Sequence, residues 1–229
     1  MPGSHYSVAI DGPSGAGKST LARRAAGELG FLYVDTGALY RALALQALQE
    51  GVPPGDEASV ALLLETARVS LRHEGGTQLV FLSGLDVTLD IRAHEVSRAA
   101  SDISALPAVR AFLLDRQRAL ARETDVIMDG RDIGTVVLPG ADLKIFLTAA
   151  PEDRARRRHT ELTARGAALT YDEVLRDLLI RDKNDAERPL APLKPAPDAV
   201  LLDTTGNTFS QSLALILRLI RDACPERFQ

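Results

Sequence analysis

Gly12-Pro13-Ser14-Gly15-Ala16-Gly17-Lys18-Ser19 decides how the rest of this 229-residue chain is read. The stretch fits G-x-x-x-x-G-K-[ST] at every fixed position. Glycines let the backbone curl until its N–H groups converge on phosphate oxygens. A helix starting there turns its positive N-terminus to the same place. Lys18 then reaches the β- and γ-phosphates, and the Ser19 hydroxyl meets Mg²⁺ directly or through water. Residues 12–20, ending with Thr20, are therefore a candidate site for ATP or GTP.

The flanks agree. Ser7–Ile10 is a short apolar run that reads as a buried parallel strand. Lys18–Leu29 has helical character, and Gly30 stands where a helix ends. Phe31–Val34 is a second strand and Ala38–Glu50 a second helix, closed by Gly51. Strand–helix–strand–helix at this spacing predicts a parallel sheet. The pattern then changes. A helical segment near 57–67 precedes three β-like pieces, Val69–Arg72, Gln78–Leu82 and Asp86–Leu89. Gly75-Gly76 and Ser83-Gly84 separate them, so a small antiparallel meander is expected. Helices follow near 93–105 and 108–123. The core pattern returns with strands at Asp125–Asp129 and Leu143–Leu147. Pro151 starts a helix through Arg165-Gly166, Thr170-x-x-Glu173 caps another towards Glu187, Ala199–Leu202 is a last strand and Ser210–Ala223 a last helix. Pro189–Pro197 reads as an ordered connection.

Composition sets the outer limits. There are 27 basic and 31 acidic side chains, a net charge of −4, 45% hydrophobic and 25% charged residues. These are the proportions of a folded globular chain, not of a disordered one or a coiled coil. The acidic total argues against broad nucleic-acid binding. No 18-residue apolar run marks a membrane span. The start, MPGSHYSVAI, lacks the regions of a signal peptide. Cys224 is the single cysteine, which excludes an internal disulfide and a multi-cysteine zinc site. A cytoplasmic location is expected, and nothing in the sequence requires more than a monomer. Only Lys18, Lys144, Lys183 and Lys194 are lysines, so 27 − 4 = 23 basic residues are arginine.

A phosphate loop serves switches, motors and small-molecule kinases alike. A guanine reader would carry Asn-Lys-x-Asp, and Lys183-Asn184-Asp185 has the wrong order. The strand Val126-Ile127-Met128-Asp129 ends in an acid able to hold a water on Mg²⁺, although a satisfied loop aspartate would look the same. No Ser/His/Asp or Cys/His set stands out among the scattered histidines 5, 73, 94 and 159. Phosphoryl transfer to a phosphate acceptor needs no general base, only cations that hold two polyphosphates in line. That favours a kinase. A kinase for UMP, AMP or another small acceptor, and a nucleotide-dependent switch, stay open on these residues alone.

DGPSGAGKST (11–20), DTGALYR (35–41), DGRDIGTVV (129–137), KIFLTA (144–149) and RDKNDAERPLAPL (181–193) occur in this order almost end to end. Together they make the chain similar to the bacterial cytidylate kinases, within the nucleoside monophosphate kinase group of P-loop kinases. The resemblance implies an α/β fold of three layers (αβα) with a five-stranded parallel sheet. It places the P-loop core in residues 1–36 and 121–229, a monophosphate-binding insertion of mixed α and β structure in 37–120, and a short helical lid near 151–170. The implied reaction turns CMP or dCMP and Mg·ATP into CDP or dCDP and ADP, in pyrimidine nucleotide metabolism. Thr36 and Arg41 would hold the monophosphate, although on spacing alone Arg41 is a surface arginine. Ser101, Arg110 and Asp132 would read cytosine, whose amine suits a carboxylate and whose N3 and O2 suit donors. Arg131 would face the transferring phosphoryl group. Arg181, Asp185 and Arg188 share one helix face at i, i+4 and i+7. Read plainly they are a solvated ion pair and its neighbour. The resemblance makes them ribose and phosphate contacts, and Arg188 catalytic along with Lys18, Arg131 and Asp132. Arg154 and Arg156 fit an exposed basic face as well as a lid, whereas Arg157 and Arg158 are triphosphate candidates. Ser19 and Asp129 are the Mg²⁺ pair.

Overall fold

The computed structural model describes residues 5–164 and 166–228. Strands β1 (Ser7–Asp11), β2 (Leu32–Asp35), β6 (Val126–Gly130), β7 (Leu143–Thr148) and β8 (Val200–Asp203) form one parallel sheet in the order β2-β6-β1-β7-β8. Residues 126–128 of β6 are fully buried between β1 and β2. A continuous apolar run suits a strand covered on both faces. Val8 and Ile10 point to the layer of α1 (Lys18–Leu29) and α8 (Phe209–Ala223), packing with Leu21, Ala25, Ile216 and Ile220. Ala9, one residue out of phase, packs with Val34, Met128 and Ile133 on the opposite face.

A second apolar core lies between the two halves of the sheet in sequence. It joins α2 (Thr36–Gln49), α3 (Glu57–Thr66), β3 (Val69–Glu74), β4 (Thr77–Leu82), α4 (His94–Ile103) and the start of α5 (Pro107–Glu123) around Leu39, Leu43, Val60, Leu63, Ile91, Ile103 and Leu113, with the exposed strand β5 (Leu85–Asp86) outside it. The meander β3-β4-β5 is antiparallel. Its third strand is shorter than expected and displaced towards the turn. Asp86 accepts the Thr88 N–H (2.9 Å), and Thr88 Oγ1 takes the Val80 N–H (2.9 Å) in place of a backbone partner. A 3₁₀ turn, Asp90–Arg92, follows at once.

Two further helices, α6 (Pro151–Ala164) and α7 (Tyr171–Glu187), pack on each other beside the phosphate loop. The capping box at Thr170 and Glu173 forms as expected. The expectation that α6 continues through Arg165 concerns a residue outside the described ones. After β6 the chain makes a π-helical turn, Ile133–Val137, that was not expected. Its cause is the buried Asp11 carboxylate, which accepts the N–H of Ile133 (2.8 Å) and Gly134 (2.7 Å). Among the described residues no helix is long and apolar enough to cross a membrane.

Candidate active site

The carboxyl ends of β1, β6 and β2 open onto a cleft of about 1080 Å³. Its floor is the loop 12–17. Gly12 has φ +149°, and a Cβ there would lie 1.9 Å from the Leu147 carbonyl oxygen on β7, so only glycine fits. Lys18 is the first residue of α1 and is buried; its Nζ donates to the Pro13 carbonyl (2.7 Å). Burial, and then the charge of Arg131, lower its pKa. Ser19 Oγ donates to Asp129 Oδ2 (2.8 Å), and the Tyr33 hydroxyl donates to the other oxygen (2.9 Å). Burial, with the charge of Asp35, raises the Asp129 pKa. A hydroxyl next to a carboxylate at a phosphate loop is the hard-oxygen pair that suits Mg²⁺, which takes few protein ligands and fills its shell with phosphate and water. The donor set therefore fits the metal.

The same cleft reaches the second core. Asp35 ends β2 and caps α2 through the Ala38 N–H (3.0 Å). Its other oxygen holds Arg41 (2.7 Å) and Arg92 (3.6 Å). Burial acts to raise Asp35, but these two cations outweigh it and hold its pKa below the usual range. Thr36 Oγ1 donates to the Asp129 carbonyl (2.8 Å). Arg131 Nε donates to Asp185 Oδ2 (2.9 Å). Burial, and then Arg131, lower Arg181 to about 10. The Nε atoms of Arg41 and Arg181 are buried without a protein partner. A buried guanidinium donor without a partner is one that an anion can satisfy.

At the far end Asp132 accepts from Arg110 and from Arg188 Nη2 (3.4 Å), both largely buried. Burial raises the Asp132 pKa against the pull of both arginines. Arg188 Nε is anchored on the Ala191 carbonyl (2.6 Å). Asp185 and Arg188 are buried, which removes the plain reading of a solvated helix face. Ser97 and Ser104 line this end of the cleft. Ser101 lines an adjoining recess between α4 and α7, which shares Ser97 and Arg181 with the cleft. Arg157 and Arg158 line the opposite end, Arg157 donating to the Thr204 carbonyl (2.8 Å) and Arg158 to Glu161 (2.8 Å). Arg156 is exposed, but Arg154 is buried and no part of a basic exposed face.

The family model described as cytidylate kinase matches residues 8–222 of the chain. The chain belongs to the cytidylate kinase family. A cytidylate kinase of Desulfitobacterium hafniense is 51% identical to this family member over 215 residues, 94% of this chain and 92% of that one. One of Caldicellulosiruptor bescii is 46% identical over 212 residues, 93% and 94%. In fold alone, this cytidylate kinase family member is also similar to a gluconokinase from Sinorhizobium meliloti, with a TM-score of 0.50, 16% identity and coverage of 99% and 98%. Sequence reasoning missed Asp11, Asp35, Gln78 and Arg92. Asp35 carried a signal, since an aspartate directly before a helix is a cap. Gln78 caps the Asp35 N–H from β4 (2.8 Å), a contact across 43 residues that no local pattern displays.

Asp11 supplies a pH test of this geometry. Burial raises its pKa to about 6 from an ordinary 3.8, against the two N–H bonds it accepts. The folded state thus binds more protons than the unfolded one between these values, and stability falls as pH rises through the window. Against Asp11→Asn, wild type should lose about 2 kcal/mol of unfolding free energy between pH 4.5 and 7. Denaturant titrations at the two pH values measure it, and a constant difference would contradict the assignment.

Proposed function

We propose that the chain transfers the γ-phosphoryl group of ATP to CMP and dCMP, giving CDP and dCDP, in pyrimidine nucleotide metabolism. The observation that carries the reading is one cleft with the phosphate loop at one end, the Arg110–Asp132–Arg188 set at the other, and the open donors of Arg41 and Arg181 between them. An α-phosphate oxygen of the acceptor attacks the γ-phosphorus in line, and the bond to the β,γ-bridging oxygen breaks. The acceptor oxygen is already anionic, so no base takes a proton and no covalent intermediate forms. Lys18 neutralises charge on the donor. Arg131, Arg181 and Arg188 hold the triphosphate and the acceptor phosphate together against their repulsion. Arg157 and Arg158 bind the triphosphate end. Thr36 and Arg41 seat the acceptor phosphate, and Arg181 with Asp185 its ribose. Arg110 and Asp132, with Ser101, read the base. Ser19 and Asp129 would hold Mg²⁺ directly or through water, and the ion supplies neutralisation of donor charge. In this reading 37–120 is the monophosphate-binding insertion and 151–170 the lid.

ADP release from Mg·ATP, followed with CMP, dCMP, UMP, AMP and no acceptor, tests the proposal. Strong turnover with CMP and dCMP alone is expected. Equal turnover with UMP would remove Asp132 as the discriminating group. Release that ignores the acceptor would replace the kinase reading with that of an ATPase or switch.

A further inference from the structure

Ser14 of the phosphate loop lines the cleft, but its peptide groups are bonded to two residues that do not. Its N–H donates to Asp182 Oδ1 (3.3 Å), and its carbonyl accepts from Arg154 Nη1 (3.0 Å). The same Nη1 bonds Asp182 Oδ2 (2.5 Å), and Arg154 Nε is fixed on the Ala149 carbonyl beyond β7 (2.8 Å). Arg154 is 5% exposed, and neither it nor Asp182 lines the cleft. The next loop residue is pressed onto the same two helices. A Cβ on Gly15 would lie 3.0 Å from the Arg154 carbonyl and 3.2 Å from Leu178 Cδ1. The loop, the first turn of α6 and the middle of α7 are thus closed into one ring of hydrogen bonds around a shielded ion pair.

We infer that Arg154 and Asp182 are positioning residues that set the curvature of the phosphate loop and its register against the arginines of α6 and α7. Both peptide groups of Ser14 are tied to these helices, so the loop cannot roll. The helices that tie it carry Arg157 and Arg158 on α6 and Arg181 and Asp185 on α7. One ion pair therefore aligns two halves of a phosphate site that lie more than a hundred residues apart in sequence. A shift of an ångström between such halves is costly for phosphoryl transfer, although no contact to substrate is lost. The pair holds the loop, so its role belongs to the donor side: on the acceptor side Asp185 is held by Arg131, and the Arg110–Asp132 end by separate bonds. The inference rests on the proposal that residues 12–19 bind ATP.

The test uses the full chain, with ADP and CMP binding each measured by calorimetry without the other, alongside thermal melts. Asp182→Asn keeps the shape but turns an amide towards Arg154. It should raise the ADP Kd about tenfold and leave the CMP Kd within twofold. Arg154→Met/Asp182→Leu removes both charges and leaves neither buried alone. It should recover much of any Tm lost by the single variant and keep the weakened ADP binding. An ADP Kd within twofold of wild type in both variants overturns the inference. So does equal weakening of ADP and CMP that follows Tm. If wild type itself fails to bind ADP, the phosphate-loop reading fails instead.

Discussion

Lys18→Met should lower turnover about 10³-fold, with the fold intact and the CMP Kd within twofold of wild type. Methionine keeps the unbranched stem that packs at the start of α1 and removes only the charge. Lys18 is 5% exposed, and the protein disfavours its ammonium form through burial and Arg131. A charge kept in so unfavourable a place has work elsewhere, and the proposed function gives it the donor phosphates. Electrostatic groups aimed at charge that develops in the transition state are worth roughly 10²–10³ in turnover. Stability should change little, because loss of a disfavoured charge offsets loss of a partner for Asp129. Steady-state ADP release at saturating CMP, a thermal melt and CMP calorimetry make the measurement. Turnover within tenfold of wild type would show that loop 12–19 is not where transfer occurs.

The second large effect concerns the acceptor. Asp132→Ala should lower kcat/KM for CMP about 10³-fold and change the ATP Kd no more than about threefold. Two arginines converge on this carboxylate, and its removal leaves two buried like charges facing each other. Breaking a buried pair on one side costs about 3–5 kcal/mol. A pocket that reads a base by hydrogen bonds also rejects one that leaves them unmade, far more strongly than a misfit of one methyl group. Asp132→Asn separates the two contributions. It keeps the shape but offers an amide donor, which meets the cytosine amine badly and the uracil O4 well. The ratio of UMP to CMP turnover should rise in Asp132→Asn. A uniform loss for both bases would make Asp132 an anchor for Arg110 and Arg188 only.

The sheet and the phosphate loop were legible because their signals are local. The short run Ser7–Ile10 before a glycine loop, and a lysine after it, state strand, turn and helix within thirteen positions. The meander was legible from Gly75-Gly76 and Ser83-Gly84, although Thr88 cuts its last strand short with a side-chain bond that sequence does not announce. Arg154 and Asp185 were harder. A charged residue on a helix has the same pattern whether it faces water or a buried partner, and only the fold shows Arg154 against Ser14 and Asp185 against Arg131. The π-helical turn was invisible, because its cause, Asp11, lies 122 residues from the N–H group it holds.

Asp35 is at once the last residue of β2 and the cap of α2, with its own peptide group clasped on both sides by Gln78. A strand that becomes a helix with no residue between them has no backbone joint. α2 must therefore turn as a bracket bolted to the sheet, and Arg41 turns with it. Gln78 lies on β4, so the meander is tied to the same joint. The pocket proposed for the acceptor is then built on one rigid piece: β2 and α2 at the phosphate, with the serine wall of α4 packed along α2.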